Sequence, residues 1–211
     1  MKIWEYKNNT LTQLHIFLSH NGSVNKVYEY KQNFIISCSD DSTLKIWNIN
    51  INIKTLKKHN DSKVNILLIK NNILIFSSRD KILYFWYVDD FSIKRKIENI
   101  HCYSNNSMVN YNKYWLIGEL KGITYVCYIN TYQKISEIYA HKTYATSLLI
   151  LNKGILLSSG GYNEIKEWII PKMFCISKKE NPHCSSIYDM IQIENKIYTS
   201  SIEIKIGIFN L

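Results

Sequence analysis

Short runs in which apolar and polar residues alternate follow one another along the whole chain, with polar turns between them. In one set, Val24 to Tyr30 alternates, and Phe34 to Ser39 is apolar and ends in small residues. Thr43 to Trp47 alternates again, and Ile51 to Leu56 closes the set. Alternation with β-branched and aromatic residues, punctuated by turn residues, predicts β-strands. The pattern therefore predicts an all-β chain without a long helix.

The same succession of strands recurs further along the chain. A second set follows the first after a polar stretch, and a clear later set stands in the second half. Their predicted strands are Val64 to Ile69, Ile73 to Ser78 and Ile82 to Trp86, and then Ser147 to Leu151, Ile155 to Ser159 and Ile165 to Trp168. The recurrence predicts a repeat architecture.

Histidines mark the period of this repeat. Five of the six histidines are separated by 39, 42, 40 and 42 positions, at His20, His59, His101, His141 and His183. An aromatic residue follows each of the first four by 27 positions and the last by 26, at Trp47, Trp86, Tyr128, Trp168 and Phe209. Units of about 40 residues with four strands each match the blades of a β-propeller.

One stretch makes the resemblance to a family specific. Ser37-Cys38-Ser39-Asp40-Asp41-Ser42-Thr43-Leu44-Lys45-Ile46-Trp47 resembles the signature stretch of a WD40 repeat. His20 is similar to the histidine of that family's Gly-His pair, with Ser19 in place of the glycine. The resemblance extends over essentially the whole chain and implies a WD40-type β-propeller with five blades of four antiparallel strands.

We expect a single propeller domain over residues 1–211. Its approximate blades are 19–57, 58–98, 99–139, 140–178 and 179–211. Trp4 lies 43 positions before Trp47, one period, so residues 1–18 are interpreted as strands of a preceding or a ring-closing blade. The strand Leu11 to Leu18 either supplies the outer strand of the last blade and closes the ring, or the chain forms an incomplete, open propeller.

The resemblance also implies a structural hydrogen-bond network of a histidine, a strand serine, a turn aspartate and a tryptophan. Buried imidazole and indole groups each need such polar partners. The first repeat carries the full set, the second has Phe76 in place of the serine, and the fourth has Tyr162 in place of the aspartate; the third has Gly122 and Tyr128, and the fifth Glu203 and Phe209. The members are His20, Ser37, Asp41 and Trp47, then His59, Asp80 and Trp86, and then His141, Ser158 and Trp168.

In propellers of this type, partners usually dock on the loops before the first strand and between the second and third strands. Arginine and tyrosine are favoured anchors of protein interfaces. The resemblance therefore implies a partner-binding set with Arg79, Tyr144 and Tyr162 as its strongest members. The complete set is Asn25, Asp40, Lys63, Asn65, Arg79, Tyr144 and Tyr162.

The net charge of +9 allows two interpretations. An acidic partner such as nucleic acid would require lysines and arginines to converge on one face. Alternatively, the excess reflects an AT-rich genome, since Lys, Asn, Ile and Tyr are abundant everywhere. The densest basic clusters are Lys54 to Lys58 and Lys94 to Lys96.

No pattern predicts catalysis, a metal or a cofactor. The five cysteines are scattered and contain no Cys-x-x-Cys pair, and the periodic histidines are best explained as structural members of blades. Gly160-Gly161 is interpreted as a β-turn rather than a phosphate loop.

No signal peptide or membrane-spanning run is found, which predicts an intracellular protein, cytoplasmic or nuclear. The predicted function is a non-catalytic scaffold that binds a protein partner through propeller loops, including a partner that completes the propeller. The alternative is an RNA- or ribonucleoprotein-associated propeller.

Overall fold

The predicted all-β architecture is confirmed. Every strand pairing in the structure is antiparallel, and the described residues form 21 strands. The computed structural model describes residues 1–8, 10–48, 54–56, 64–70, 72–78, 82–98, 107–119, 121–131, 133–151, 154–161, 164–170, 172–180, 183–201, 203 and 205–210. The strands pack into two compact units, Met1–His101 and Cys102–Leu211. The organisation of all 211 residues as one domain stays a prediction.

The first unit contains a two-stranded sheet, β1-β2, and two four-stranded sheets, β3-β4-β5-β6 and β7-β8-β9-β10. Its strands are β1 Lys2–Lys7, β2 Thr10–Ile16, β3 Val24–Lys31, β4 Phe34–Ser39, β5 Leu44–Asn48, β6 Lys54–Leu56, β7 Val64–Lys70, β8 Ile73–Ser78, β9 Leu83–Tyr87 and β10 Ile93–Ile97.

The second unit contains two four-stranded sheets, β11-β12-β13-β14 and β15-β16-β17-β18, and a three-stranded sheet, β19-β20-β21. Its strands are β11 Ser107–Tyr111, β12 Tyr114–Gly118, β13 Ile123–Tyr128, β14 Lys134–Tyr139, β15 Ala145–Leu151, β16 Ile155–Gly160, β17 Glu164–Ile169, β18 Phe174–Glu180, β19 Ile187–Ile193, β20 Lys196–Ser201 and β21 Ile206–Asn210. The last sheet thus has three strands among the described residues, where four were predicted.

The N-terminal strands form a hairpin of their own. β2 pairs with β1 from Lys2↔Ile16 to Lys7↔Thr10. β2 is therefore paired within this hairpin, and the assignment of residues 1–18 to a preceding or a ring-closing blade stays a prediction. Phe17 packs on Trp47 with ring centroids 4.7 Å apart, which ties the hairpin's end to the next sheet.

Tight turns join the first and second strands of each sheet, as the polar pattern predicts. Asn33, Asn72 and Asn112 lie in these turns with φ of 68°, 61° and 50°. Asparagine tolerates the left-handed region better than other side chains, because its short amide bonds to nearby backbone. Gly154 takes the same position before β16, with φ of 76°.

Apolar residues of the first, second and third strands fill the space between neighbouring sheets. In the first unit, Ile36 and Leu44 pack with Leu74, Phe76 and their neighbours, all fully buried. In the second unit, one cluster lies around Leu116, Leu148 and Leu156, and another around Leu157, Ile187 and Met190. The first strands of adjacent sheets lie side by side within each unit, as β3 does with β7. This packing brings the loops that precede the first strands next to the turns between second and third strands.

Candidate functional site

The first repeat assembles all four predicted network residues. His20 Nδ1 lies 2.8 Å from Asp41 Oδ2, and His20 Nε2 lies 2.7 Å from Ser37 Oγ. Trp47 Nε1 donates to Ser37 Oγ at 2.7 Å. With a neutral imidazole, Nδ1–H donates to the carboxylate and Nε2 accepts the serine proton, so each group has a partner.

Asp41 also organises the turn between β4 and β5. Its carboxylate accepts from the backbone N–H of Asn21 at 2.9 Å and of Thr43 at 3.0 Å, and from Thr43 Oγ1 at 2.6 Å. Burial opposes the charged form, but the hydrogen bonds from Thr43, His20 and Asn21 hold the pKa of Asp41 well below its ordinary value. Thr43 therefore belongs to the network, although the repeat pattern did not predict it.

The Ser37–His20–Asp41 connectivity is that of a hydrolytic triad. Ser37 is 0% exposed, and its oxygen already accepts from the indole of Trp47. Burial also lowers the pKa of His20. A nucleophile needs access to substrate, so this arrangement holds the turn in place and has no surface at which a reaction can occur.

The fourth repeat keeps the histidine, serine and tryptophan. His141 Nε2 lies 2.8 Å from Ser158 Oγ, which accepts from Trp168 Nε1 at 2.8 Å. Glu164 is the nearest described acid, with Oε2 4.0 Å from His141 Nδ1. Tyr162, which stands at the aspartate position in sequence, lies outside the described residues.

Glycines at the end of β16 make room for this histidine. A Cβ on Gly160 would lie 2.3 Å from the His141 ring, and one on Gly161 would lie 2.1 Å from Thr143 Oγ1. These contacts explain Gly160-Gly161 more fully than the predicted β-turn does.

The surroundings of His141 favour its neutral form. Burial, with a smaller contribution from the Lys166 ammonium, lowers its pKa to about 4. Lys166 Nζ donates to Ala140 O at 2.6 Å, just as Lys45 Nζ donates to Ser19 O at 2.5 Å in the first repeat. In both repeats, then, a lysine two positions before the tryptophan holds the carbonyl that precedes the histidine.

The second repeat is only partly described. Trp86 is 4% exposed, and Phe76 meets it edge-on with ring centroids 5.0 Å apart. An aromatic contact thus stands where the serine stands in the first repeat. His59 and Asp80 lie outside the described residues.

The fifth repeat has a network with different residues. His183 Nε2 lies 2.9 Å from Thr199 Oγ1, and Glu203 Oε1 accepts from the backbone N–H of Cys184 at 2.7 Å. Glu203 thus makes the contact that Asp41 makes with Asn21 N. The repeat pattern did not predict Thr199, because the first and fourth repeats have a serine at this position. Its location 16 residues after His183 was nevertheless a signal of the same role.

Strand register corrects the alignment of the third repeat. Trp47 pairs with Ile35, Trp86 with Leu74 and Trp168 with Leu156, always across the same length of hairpin. The equivalent pair in the sheet of β11–β14 is Trp115 and Cys127. Cys127 therefore occupies the tryptophan position, where burial raises the pKa of its thiol. Tyr128, which the spacing had assigned to this position, is 36% exposed. The register also makes Lys121, rather than Gly122, the residue that is equivalent to Asp41 of the first repeat.

Two of the predicted partner-binding residues bond to each other. Asn25 Nδ2 donates to Asp40 Oδ1 at 2.9 Å and to Val64 O at 2.8 Å. Asn25 thereby links the sheet of β3–β6 to the start of β7. It is an exposed residue that also makes a structural contact. Lys63, Arg79 and Tyr162 lie outside the described residues, as does the side chain of Asn65.

Tyr144 is the predicted anchor that the structure does describe on a loop surface. Its side chain is 47% exposed. Backbone bonds fix its loop on both sides: His141 N donates to Gly122 O at 3.0 Å, Ala145 N to Glu119 O at 2.9 Å, and Gly161 N to Tyr144 O at 3.3 Å. The loop is therefore a preorganised support for an exposed aromatic side chain.

Within the described ranges, no group of three or more His, Cys, Asp or Glu side chains is arranged to hold a metal ion. In the same parts of the chain there is no helix of sufficient length and apolar character to span a membrane.

Comparisons with known proteins agree with this geometry. Residues 11–48 match the model of the WD40 family, described as WD domain, G-beta repeat. The WD40 β-propeller domain of Doa1 aligns with a TM-score of 0.75 at 18% identity, over 96% of this chain and 68% of that chain. The computationally designed Ika8 protein aligns with a TM-score of 0.67 at 17% identity, over 95% of this chain and 74% of that chain. The predicted resemblance to WD40 β-propellers is confirmed, by sequence for one repeat and by structure for the fold.

Proposed function

We propose that this chain is a non-catalytic scaffold that binds a protein partner through the loops at the histidine end of its sheets, the end at which His20, His141 and His183 precede the first strands. WD40 propellers commonly mediate protein–protein interactions, which supports the general class. Fold alone does not choose a partner, so the specific argument must come from the loops themselves.

The buried networks support a binding role for these loops. His20, His141 and His183 each bond to a strand hydroxyl beneath a loop. The Nε2 atom of each ring lies within hydrogen-bonding distance of that hydroxyl, and His141 and His183 are 3% and 2% exposed. Rigid loops lose little conformational entropy on binding, which favours affinity.

One observation carries the proposal. Tyr144, an aromatic residue 47% exposed, stands on a loop that three backbone hydrogen bonds fix to the neighbouring turns. Exposed tyrosines on rigid supports are typical interface anchors, because a large contact area is gained at small entropic cost.

Site-specific photo-crosslinking tests the proposal. The chain would carry benzoyl-phenylalanine at Tyr144 or, as a control, at Phe174, which is 67% exposed at the other end of β17 and β18. Incubated with extract of the source cells, the Tyr144 position is expected to give discrete adducts that the Phe174 position does not. The same adducts from both positions, or none from Tyr144, would contradict a role for this loop face.

A second candidate function has one supporting observation. In β10, Lys94, Arg95 and Lys96 are all exposed. Lys94 Nζ lies 5.4 Å from the ring centroid of Tyr87, and Lys96 Nζ lies 5.5 Å from that of Tyr84. The Tyr84 ring is buried, but the Tyr87 ring is 43% exposed, and a basic strand beside an exposed aromatic ring can bind RNA through phosphates and a stacked base.

Salt dependence separates this candidate from the first. Binding of a single-stranded RNA through β10 should weaken steeply with salt, and replacing Lys94 and Lys96 by Gln should lower the slope of log K against log salt by about 1.4. A slope unchanged by that double substitution would remove β10 as an RNA-binding strand.

A further inference from the structure

Among the described residues of one loop face of the second unit, the exposed charged side chains all have one sign. This loop face comprises the described residues of 119–122, 140–144, 161, 183–186, 203 and 205. Its exposed charged side chains are Lys121, Lys142 and Lys205. Its two acids are turned to internal use: Glu119 is 2% exposed and accepts from Tyr125 OH at 3.0 Å, and Glu203 accepts from Cys184 N at 2.7 Å.

Two of these lysines lie close to Tyr144 because their loops are in direct contact. Gly122 O accepts from His141 N at 3.0 Å. A Cβ on Gly122 would lie only 2.0 Å from His141 O and 2.4 Å from Thr143 O. The turn that carries Lys121 therefore packs against the loop that carries Lys142 and Tyr144, so that one exposed aromatic residue and two exposed lysines stand on adjoining segments.

We infer that this surface, which carries Tyr144, Lys121 and Lys142 on two packed loops, binds an acidic protein segment that has Asp or Glu on both sides of an apolar residue. This inference rests on the proposed function and names the chemistry of the partner. Carboxylates pair with the two lysines, and the apolar residue packs on the tyrosine ring. Complementary charge steers such a segment to the face and rejects basic ones.

The number of charges favours an acidic segment over nucleic acid at this face. Strong binding to a phosphate backbone draws on about six to ten phosphate contacts. Among its described residues this face has three exposed lysines and one exposed aromatic ring, that of Tyr144. One exposed ring on a face with few lysines suits one apolar side chain flanked by acids.

Fluorescence anisotropy with synthetic peptides tests the inference on the full chain. The probe is a short labelled peptide rich in Glu around one central Leu, and its matched control has Gln at every Glu. The test variants are Lys142→Glu and Tyr144→Ala. The chain offers a control pair with the same spacing, Lys172→Glu and Phe174→Ala, at exposed positions at the other end of β17 and β18.

The acidic peptide is expected to bind the unaltered chain. Each test variant should lower the affinity for this peptide about tenfold, while the control pair should leave the affinity unchanged. Equal binding of the Glu and Gln peptides, or equal loss in the control pair, overturns the inference. So does tighter binding of oligouridylate that Lys142→Glu abolishes, which assigns the face to nucleic acid. If no acidic peptide binds while crosslinking at Tyr144 still gives discrete adducts, this inference is wrong and the proposed function stands.

Discussion

Ser37 shows how a reactive-looking arrangement can be purely structural. Its oxygen lies between the imidazole of His20 and the indole of Trp47, and the residue has no exposed surface. Ser37→Ala leaves two buried polar groups without that partner, so we expect a loss of about 2–4 kcal/mol in the free energy of unfolding, measured by urea titration. Ser200→Ala, at an exposed position, should cost less than about 0.5 kcal/mol.

The same residue gives a chemical test of the non-catalytic proposal. A fluorophosphonate probe labels serines that are activated by a histidine and open to solvent. We expect no labelling of Ser37 in the folded chain, as read by mass spectrometry of tryptic peptides. Labelling that disappears in Ser37→Ala but survives in Ser200→Ala would show an open, activated serine and contradict the structural role.

His141 should make stability depend on pH. Its pKa falls from 6.5 in the unfolded chain to about 4 in the folded one, chiefly because of burial. The unfolded chain therefore binds the proton first, so stability is full above pH 6.5 and is lost as pH falls toward 4, by up to about 1.4 kcal/mol per pH unit. The lowered pKa of His20 acts in the same direction.

Urea titrations from pH 7.5 to 5 would measure this slope. The carboxyls with lowered pKa values, such as Asp41 and Glu164, stay charged over that range and do not confuse it. His141→Gln should flatten the slope, whereas His15→Gln, at an exposed strand position, should leave it. An unchanged slope in His141→Gln would show that other groups control acid stability.

Individual residues were predictable where the repeat is regular. His20, Ser37, Asp41 and Trp47 follow the family pattern, and the structure brings them within hydrogen-bonding distance. Glu164 was missed because it stands two positions beyond the aspartate position and approaches His141 from β17. Sequence shows which residue types a repeat has lost, but only side-chain reach shows which neighbour replaces them.

At the scale of elements, the turn between β12 and β13 depends on Gly122. Its φ of +75° disfavours other residues, and the two nearest atoms to an added Cβ are backbone oxygens of His141 and Thr143. Backbone cannot move aside cheaply, so Gly122→Ala should cost about 2–4 kcal/mol of stability, measured as a loss of thermal and urea resistance.

Gly154→Ala is the matched control for that substitution. Gly154 has nearly the same φ, +76°, but its added Cβ would meet the hydroxyl end of the Tyr111 side chain, 2.7 Å away. A side chain can rotate, so this variant should lose only about 1 kcal/mol, the cost of the left-handed backbone. Equal losses in the two variants would show that the contact with the 141–143 loop does not matter.

Strand positions were predictable because alternation and turn residues act locally. The predicted Phe34 to Ser39 and Ile73 to Ser78 are the observed bounds of β4 and β8. Register in the third repeat was not predictable, since counting 27 positions from His101 assumes a constant loop and reaches Tyr128, whereas pairing places Cys127 opposite Trp115. One residue fewer after His101 shifts every later assignment within that repeat, and only cross-strand pairing reveals it.

At the scale of the whole molecule, the last sheet leaves an apolar surface open to solvent. Ile191, Tyr198 and Ile208 stand in one row across β19, β20 and β21, and both isoleucines are more than half exposed. Ile193 and Ile206 extend this surface at 51% and 70% exposure. Contiguous exposed apolar area promotes association, as does an unpaired strand edge.

We therefore expect the purified chain to associate as its concentration rises, detected by sedimentation velocity. Ile206→Lys with Ile208→Lys should abolish this association without lowering the thermal midpoint, because neither side chain supports the core. Ile135→Lys, at a position 43% exposed on β14, should leave it intact. If Ile135→Lys suppresses association equally, added charge rather than loss of the apolar row is the cause. If the double variant still associates, the contact lies on another surface, and β1–β2, with Leu11 67% exposed, is the next to test.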